Sequence, residues 1–151
     1  NWLEPDIAGT NCLDLFAGSG ALGFESLSRG ARAATLLENN RSVVMNLRDN
    51  TAKLGFSNVR VIHAEALQWL ISEAASGPFD VVFVDPPFAD HLLYDCCACL
   101  SESRLLAEEA KVYLEHHQTI DSTKLPSGWS QVKAKSAGRV YFGLYLVAGT
   151  L

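Results

Sequence analysis

Short apolar runs of strand character alternate with helix-patterned segments along most of the chain, and this alternation narrows the possible folds more than any other feature. Cys12–Phe16, Ala33–Leu37, Val59–Ile62, Phe79–Val84 and Val112–Glu115 read as strands. Ala21–Arg29 reads as a helix closed by Gly30, the usual glycine position past a helix end. Asn39 or Asn40 can cap a second helix, with Val43, Leu47 and Leu54 at helical spacing before Gly55. Leu67, Leu70, Ile71 and Ala74 line a third, which Gly77-Pro78 breaks, and a fourth runs around Leu92–Leu100. Such alternation implies right-handed crossovers, so the expected α/β fold is a mainly parallel, doubly wound sheet with helices on both faces. The last quarter changes period. Trp129–Lys135 and Arg139–Val147 alternate apolar and polar around Ser136-Ala137-Gly138, which predicts a C-terminal antiparallel hairpin and a sheet of about seven strands.

A chain of 151 residues is sized for a single domain spanning 1–151. The apolar share of 48% lies well above the range of disordered chains. No apolar run is long enough for a transmembrane helix and no signal-peptide pattern opens the sequence, so a cytoplasmic location and no membrane partner are expected. Cys96, Cys97 and Cys99 are too crowded for a disulfide framework, and with Cys12 they offer no zinc spacing, so no metal site is expected. Cys96 shares a helix face with Leu92, Leu93 and Leu100, as small buried residues of a reduced protein do. The net charge of −5 speaks against a self-sufficient nucleic-acid-binding domain.

Chemistry concentrates at strand ends. Phe79–Val84 has the composition of a buried central strand, and Pro86-Pro87 ends it because proline cannot donate a ladder hydrogen bond. Asp85, Pro86, Pro87 and Phe88 are thereby held where open α/β sheets bind ligands. A carboxylate and a backbone carbonyl there can accept hydrogen bonds from an amino group on a planar base, with Phe88 stacking on the ring. Asp14-Leu15-Phe16-Ala17-Gly18-Ser19-Gly20-Ala21-Leu22-Gly23 contains the glycine spacing of a dinucleotide loop between a strand and a helix. Asp14, however, suits a ligand bearing an ammonium, such as the amino-acid end of S-adenosylmethionine, rather than a pyrophosphate. Glu38, with Asn39 beside it, can accept hydrogen bonds from ribose hydroxyls or serve as a helix-start charge. Glu65-Ala66 can meet an adenine edge or simply begin a helix.

Taken together, Asp14, Gly18-Ser19-Gly20, Glu38, Glu65-Ala66 and Asp85-Pro86-Pro87-Phe88 resemble the class I S-adenosylmethionine-dependent methyltransferases, whose fold is Rossmann-like. Leu13 through Gly30 together with Phe83 through Phe88 is similar to the bacterial small-subunit ribosomal RNA guanine-N2 methyltransferases of the RsmD type. That resemblance implies methyl transfer from S-adenosylmethionine to the N2 of a guanine, with ribosomal RNA or an assembling small ribosomal subunit as partner and a monomeric enzyme. It implies catalytic roles for Asp85, Pro86, Pro87 and Phe88. It implies cofactor contacts from Asp14, Phe16, Ala17, Gly18, Ser19, Gly20, Glu38, Asn39, Glu65, Ala66 and Asp85. The family carries a basic amino-terminal segment ahead of its Asn-Trp-Leu, whereas this sequence begins at Asn1, so the RNA-holding segment is expected to be missing. Two alternatives stay open: another acceptor amine (a DNA adenine, another RNA base or a protein amide), or a nicotinamide-dependent oxidoreductase. Lys133, Lys135 and Arg139 fit either phosphate contact or a charged sheet edge. His116-His117 reads as a surface or strand-end pair, and Tyr141 and Tyr145 as half-buried hairpin residues.

Overall fold

The computed structural model describes residues 4–72, 77–87 and 90–148. Asn1-Trp2-Leu3, Ala74 and Phe88 lie outside the described residues. The elements are α1 (Glu4–Ile7), β1 (Asn11–Asp14), α2 (Ala21–Ser28), β2 (Ala33–Glu38), α3 (Arg41–Leu54), β3 (Val59–His63) and α4 (Ala66–Ser72). They continue with β4 (Phe79–Val84), α5 (Asp90–Glu102), β5 (Leu106–His116), a 3-10 turn (Ser122–Lys124), β6 (Trp129–Ala137) and β7 (Val140–Val147). One seven-stranded sheet runs in the order β3-β2-β1-β4-β5-β7-β6. The first five strands are parallel, and β7 runs antiparallel between β5 and β6. The chain winds outward from β1 to β3, then returns to lay β4 on the other side of β1. The resulting switch point, between β1 and β4, is where open sheets of this kind form a crevice at their carboxyl ends.

β4 explains why a continuous apolar run was needed. Val82 and Val84 pack into the core beneath α4 and α5, with Leu93, Cys96, Cys97 and Leu100, while Val81 and Phe83 pack beneath α2 and α3, with Leu27, Leu36 and Leu47. Both sheet faces are covered, so both residue parities must be apolar. Gly23 of α2 faces Leu36 of β2 so closely that a methyl there would collide with the Leu36 Cδ2. Asn40 caps α3 by accepting from the Ser42 and Val43 amides at 3.0 and 3.2 Å.

Several expected details shift. In α3 the buried positions are Val44 and Leu47, whereas Leu54 is 57% exposed in the last turn. In α4, Ile71 is 70% exposed; Ala66, Trp69 and Leu70 make the buried face, because the large indole reaches Phe79. β5 starts at Leu106, six residues earlier than its apolar stretch suggests. Its pairing with β4 jumps from Phe79↔Leu106 to Val81↔Lys111, and the irregularity places Glu109 at φ 58°. Bulged, charged residues hide a strand from pattern reading. The hairpin turn is tighter than expected: Ala137 pairs with Val140 across Gly138-Arg139. Tyr145 is fully buried, while Tyr141 is half-buried. His116 ends β5, as a strand-end residue should, yet it is buried against Tyr94 of α5 rather than at the surface; His117 is exposed.

Candidate active site

Above the switch point the carboxyl ends of the strands border one cleft of about 950 Å³. Nearly every strand end delivers an acid to it. Asp14 is the last residue of β1, Glu38 the last of β2, Glu65 immediately precedes α4, Asp85 follows β4, and Glu115 is the penultimate residue of β5. Asp14, Phe16, Ala17, Gly18, Ser19, Glu38, Asn39, Glu65, Ala66, Asp85, Pro86 and Pro87 all line this cleft. Gly20 does not. It sits behind the wall at φ 84° as the residue before α2, where a Cβ would come within 2.7 Å of Leu47 and collide with the Phe24 ring. Only glycine fits there, and it lets the loop turn into the helix.

The loop is fastened by a carboxylate. Glu38 Oε1 accepts from the Gly18 amide at 3.1 Å and its Oε2 accepts from the Asn40 amide at 2.9 Å. One side chain therefore ties the glycine loop to the start of α3. Glu65 is used similarly: its two oxygens accept from the Leu67 and Gln68 amides at 2.8 and 3.3 Å, capping α4. His63 Nε2 meets the Asn39 carbonyl at 3.0 Å, joining the ends of β2 and β3.

Asp14 is 2% exposed and accepts one hydrogen bond, from the Phe16 amide at 3.1 Å. Burial pushes its carboxyl up to about 7; the Phe16 bond opposes the shift, and the charges of Glu38 and Glu115 add to it. Asp85 is also raised to about 7, first by burial, then by a hydrogen bond with Glu115 and that residue's charge, then by Asp14. The parallel register places Val84 beside Leu114, so the next residues on the two strands, Asp85 and Glu115, stand side by side. The Tyr113 hydroxyl reaches Glu115 Oε1 at 3.4 Å. Burial and the Glu115 charge push the Tyr113 phenol upward, so it remains a donor.

Sequence reading missed Glu115. A lone acid near the end of a strand carries no pattern; only the pairing with β4 reveals it. Also unanticipated on the cleft wall are His116, His117 and, from the start of β7, Val140. Several mutually repelling carboxyls in one cleft are costly unless the ligand is a cation or an array of N–H donors. A pyrophosphate would meet the wrong charge, which disfavours a nicotinamide dinucleotide. Among the described residues there is no metal-binding group of acids, histidines and cysteines and no helix long and apolar enough to cross a membrane.

The family model described as Conserved hypothetical protein 95 matches residues 1–146. Ribosomal RNA small subunit methyltransferase D of Escherichia coli K12 is 43% identical over 145 residues, covering 96% of this chain and 72% of that protein. The protein of the same name from Haemophilus influenzae is 39% identical over 148 residues, covering 96% of this chain and 76% of its own length. Among solved structures, yhhF from Escherichia coli superposes with a TM-score of 0.90 at 42% identity, covering 99% of this chain and 82% of that one.

Proposed function

The chain belongs to the Conserved hypothetical protein 95 family, and from that footing we propose that it moves a methyl group from S-adenosylmethionine to the N2 amine of a guanine in small-subunit ribosomal RNA. The single observation carrying the chemistry is the convergence of Asp14, Glu38, Asp85 and Glu115 on one cleft. The donor set suits the cofactor: a buried acid for an ammonium, and a second acid whose oxygens keep lone pairs beyond those used by Gly18 and Asn40. The volume, about 950 Å³, lies within the range of small-molecule sites. Asp14 would hold the amino-acid end, Glu38 and Asn39 the ribose, and Glu65-Ala66 the adenine edge. The backbone of Phe16, Ala17, Gly18, Ser19 and Gly20 would form the loop wall.

S-adenosylmethionine supplies an electrophilic methyl on a sulfonium; when the nitrogen–carbon bond forms and the sulfur–carbon bond breaks, a neutral thioether and one proton are released. The chain's residues contribute alignment and charge. Asp85 and the carbonyl of Pro86 accept hydrogen bonds from the amine, bias its lone pair toward the methyl and stabilise the positive charge developing on nitrogen. The diproline fixes the backbone so that these acceptors need no reorganisation. Phe88, the next aromatic after the diproline in sequence, would stack on the flipped base. The proton passes to water after transfer, so Asp85 is not required as a general base.

The test is transfer of labelled methyl to small-subunit RNA and to assembling subunits, beside calorimetric titration with S-adenosylmethionine and with NAD. Label in RNA and heat with S-adenosylmethionine alone are expected. Heat with NAD and no transfer would replace this reading with the oxidoreductase.

A further inference from the structure

We propose that Asp85 and Glu115 together read the Watson–Crick edge of the acceptor base, Asp85 taking a hydrogen bond from the 2-amine and Glu115 from the adjacent ring N1–H, so that Glu115 selects guanine. This rests on the guanine reading above and identifies the group that would enforce it.

The two acids come from neighbouring parallel strands in matched register, one step past the Val84↔Leu114 pair. Both line the cleft. Neighbouring strands lie about 4.8 Å apart, which lets both side chains reach adjacent donors on one ring edge. Glu115 is also held in place. Tyr113 hydrogen-bonds it at 3.4 Å, and the Tyr113 ring is itself braced by Phe83 at 6.0 Å and Phe142 at 6.2 Å between centroids. A half-buried carboxylate held by a braced tyrosine serves recognition better than a mobile surface acid would.

Guanine is the base whose edge fits two acceptors. Its exocyclic amine sits beside a ring N–H, so both acids receive hydrogen bonds. Adenine and cytosine place their amines beside a bare ring nitrogen, an acceptor that would face the Glu115 oxygens with no proton between them. Leaving such a group unpaired in a desolvated site costs about 1–3 kcal/mol, and more when charge is involved. The surrounding charged and titratable groups are Asp14 on β1 and Tyr113, His116 and His117 on or just past β5.

The discriminating probe is small-subunit RNA carrying 2-aminopurine at the nucleotide that the wild-type chain methylates. This base keeps the 2-amine, replaces the ring N–H by a bare nitrogen and lacks the 6-carbonyl, so the change in preference on mutating Glu115 is what reads the N1 contact. The wild-type chain is expected to favour guanine by about a hundredfold or more in kcat/KM, as sites built around a substrate N–H do. In Glu115→Gln the amide can donate to the bare nitrogen, so the guanine preference is expected to fall at least about tenfold. Glu115→Asp keeps an acceptor and is expected to retain the preference at reduced rate. Each ratio is read on one preparation, so any loss of folded protein cancels, and a purely structural Glu115 would leave the ratio unmoved. An unchanged ratio in Glu115→Gln, or equal use of both bases by wild type, overturns this inference alone. Transfer to neither base overturns the guanine reading and this inference with it.

Discussion

Replacing Asp14 by Asn preserves shape and removes a charge that the ligand-free fold holds at a cost. The carboxyl is 2% exposed and its affinity for a proton rises from 3.8 in the unfolded chain to about 7 in the fold. Below pH 4 both states carry the proton, and the group is neutral to stability. Between pH 4 and 7 the folded state binds more protons than the unfolded one, so stability falls as pH rises. Above pH 7 the full penalty applies, roughly 4 kcal/mol at 1.36 per unit as an upper figure, and about 2–4 once the neighbouring acids share the adjustment. Asn escapes this penalty and gives up about 1 kcal/mol through a weaker bond to the Phe16 amide. Asp14→Asn should therefore raise the ligand-free melting temperature at pH 8.5 by roughly 3–10 °C, with the advantage vanishing toward pH 5. Cofactor binding should move the opposite way. Loss of an ionised partner for an ammonium costs about 1.5–3 kcal/mol, weakening S-adenosylmethionine by roughly 10–150-fold at pH 8. Thermal melts from pH 5 to 9 and calorimetric titrations over the same range read both effects. A melting difference that stays constant with pH, or cofactor affinity equal to wild type, would refute the assignment of Asp14 as a buried acid awaiting a cation.

Asp85→Ala should lower the methyl-transfer rate about 10²–10³-fold, the usual cost of one preorganised electrostatic group, while S-adenosylmethionine affinity changes only a few-fold; wild-type turnover in single-turnover assays would sink the proposed role. Glu38→Ala releases the amides of Gly18 and Asn40 together, so cofactor affinity should fall by roughly 10–100-fold, with faster hydrogen exchange at those amides. Gly23→Ala forces a methyl against the fully buried Leu36 and should destabilise the fold by about 1–3 kcal/mol in urea titrations, with an unchanged midpoint arguing against that close approach.

The sheet was legible where one residue type had one reason to be present. Phe79–Val84 must be apolar on both faces, and the prolines after it leave a single place for the strand to stop. Asn40 and Gly55 mark the ends of α3 because a cap acceptor and a left-handed turn each have few solutions. Legibility fails where tertiary packing overrides local pattern. Glu108 and Glu109 conceal the early part of β5, and no local signal says that β7 inserts beside β5 before β6 joins it. Ile71 and Trp69 compete for one helix face, and the outcome depends on Phe79 across the core. In the cleft, Glu38 and Asp85 announce themselves by position at strand ends, each beside a turn signal, whereas Asp14, which the run Cys12–Phe16 places inside a strand, closes β1 two residues earlier than that run suggests. Glu115 and His116 acquire meaning only through neighbours remote in sequence, Asp85 for one and Tyr94 for the other.

The most direct test of the central claim is the identity of the methylated nucleoside. Small-subunit RNA incubated with the chain and labelled S-adenosylmethionine is digested completely and its nucleosides are separated by mass spectrometry. The account predicts label in N2-methylguanosine, forming at least about a hundredfold more slowly in Asp85→Ala. Label in a methylated adenosine or cytidine, or N2-methylguanosine formed at the wild-type rate in Asp85→Ala, would contradict it.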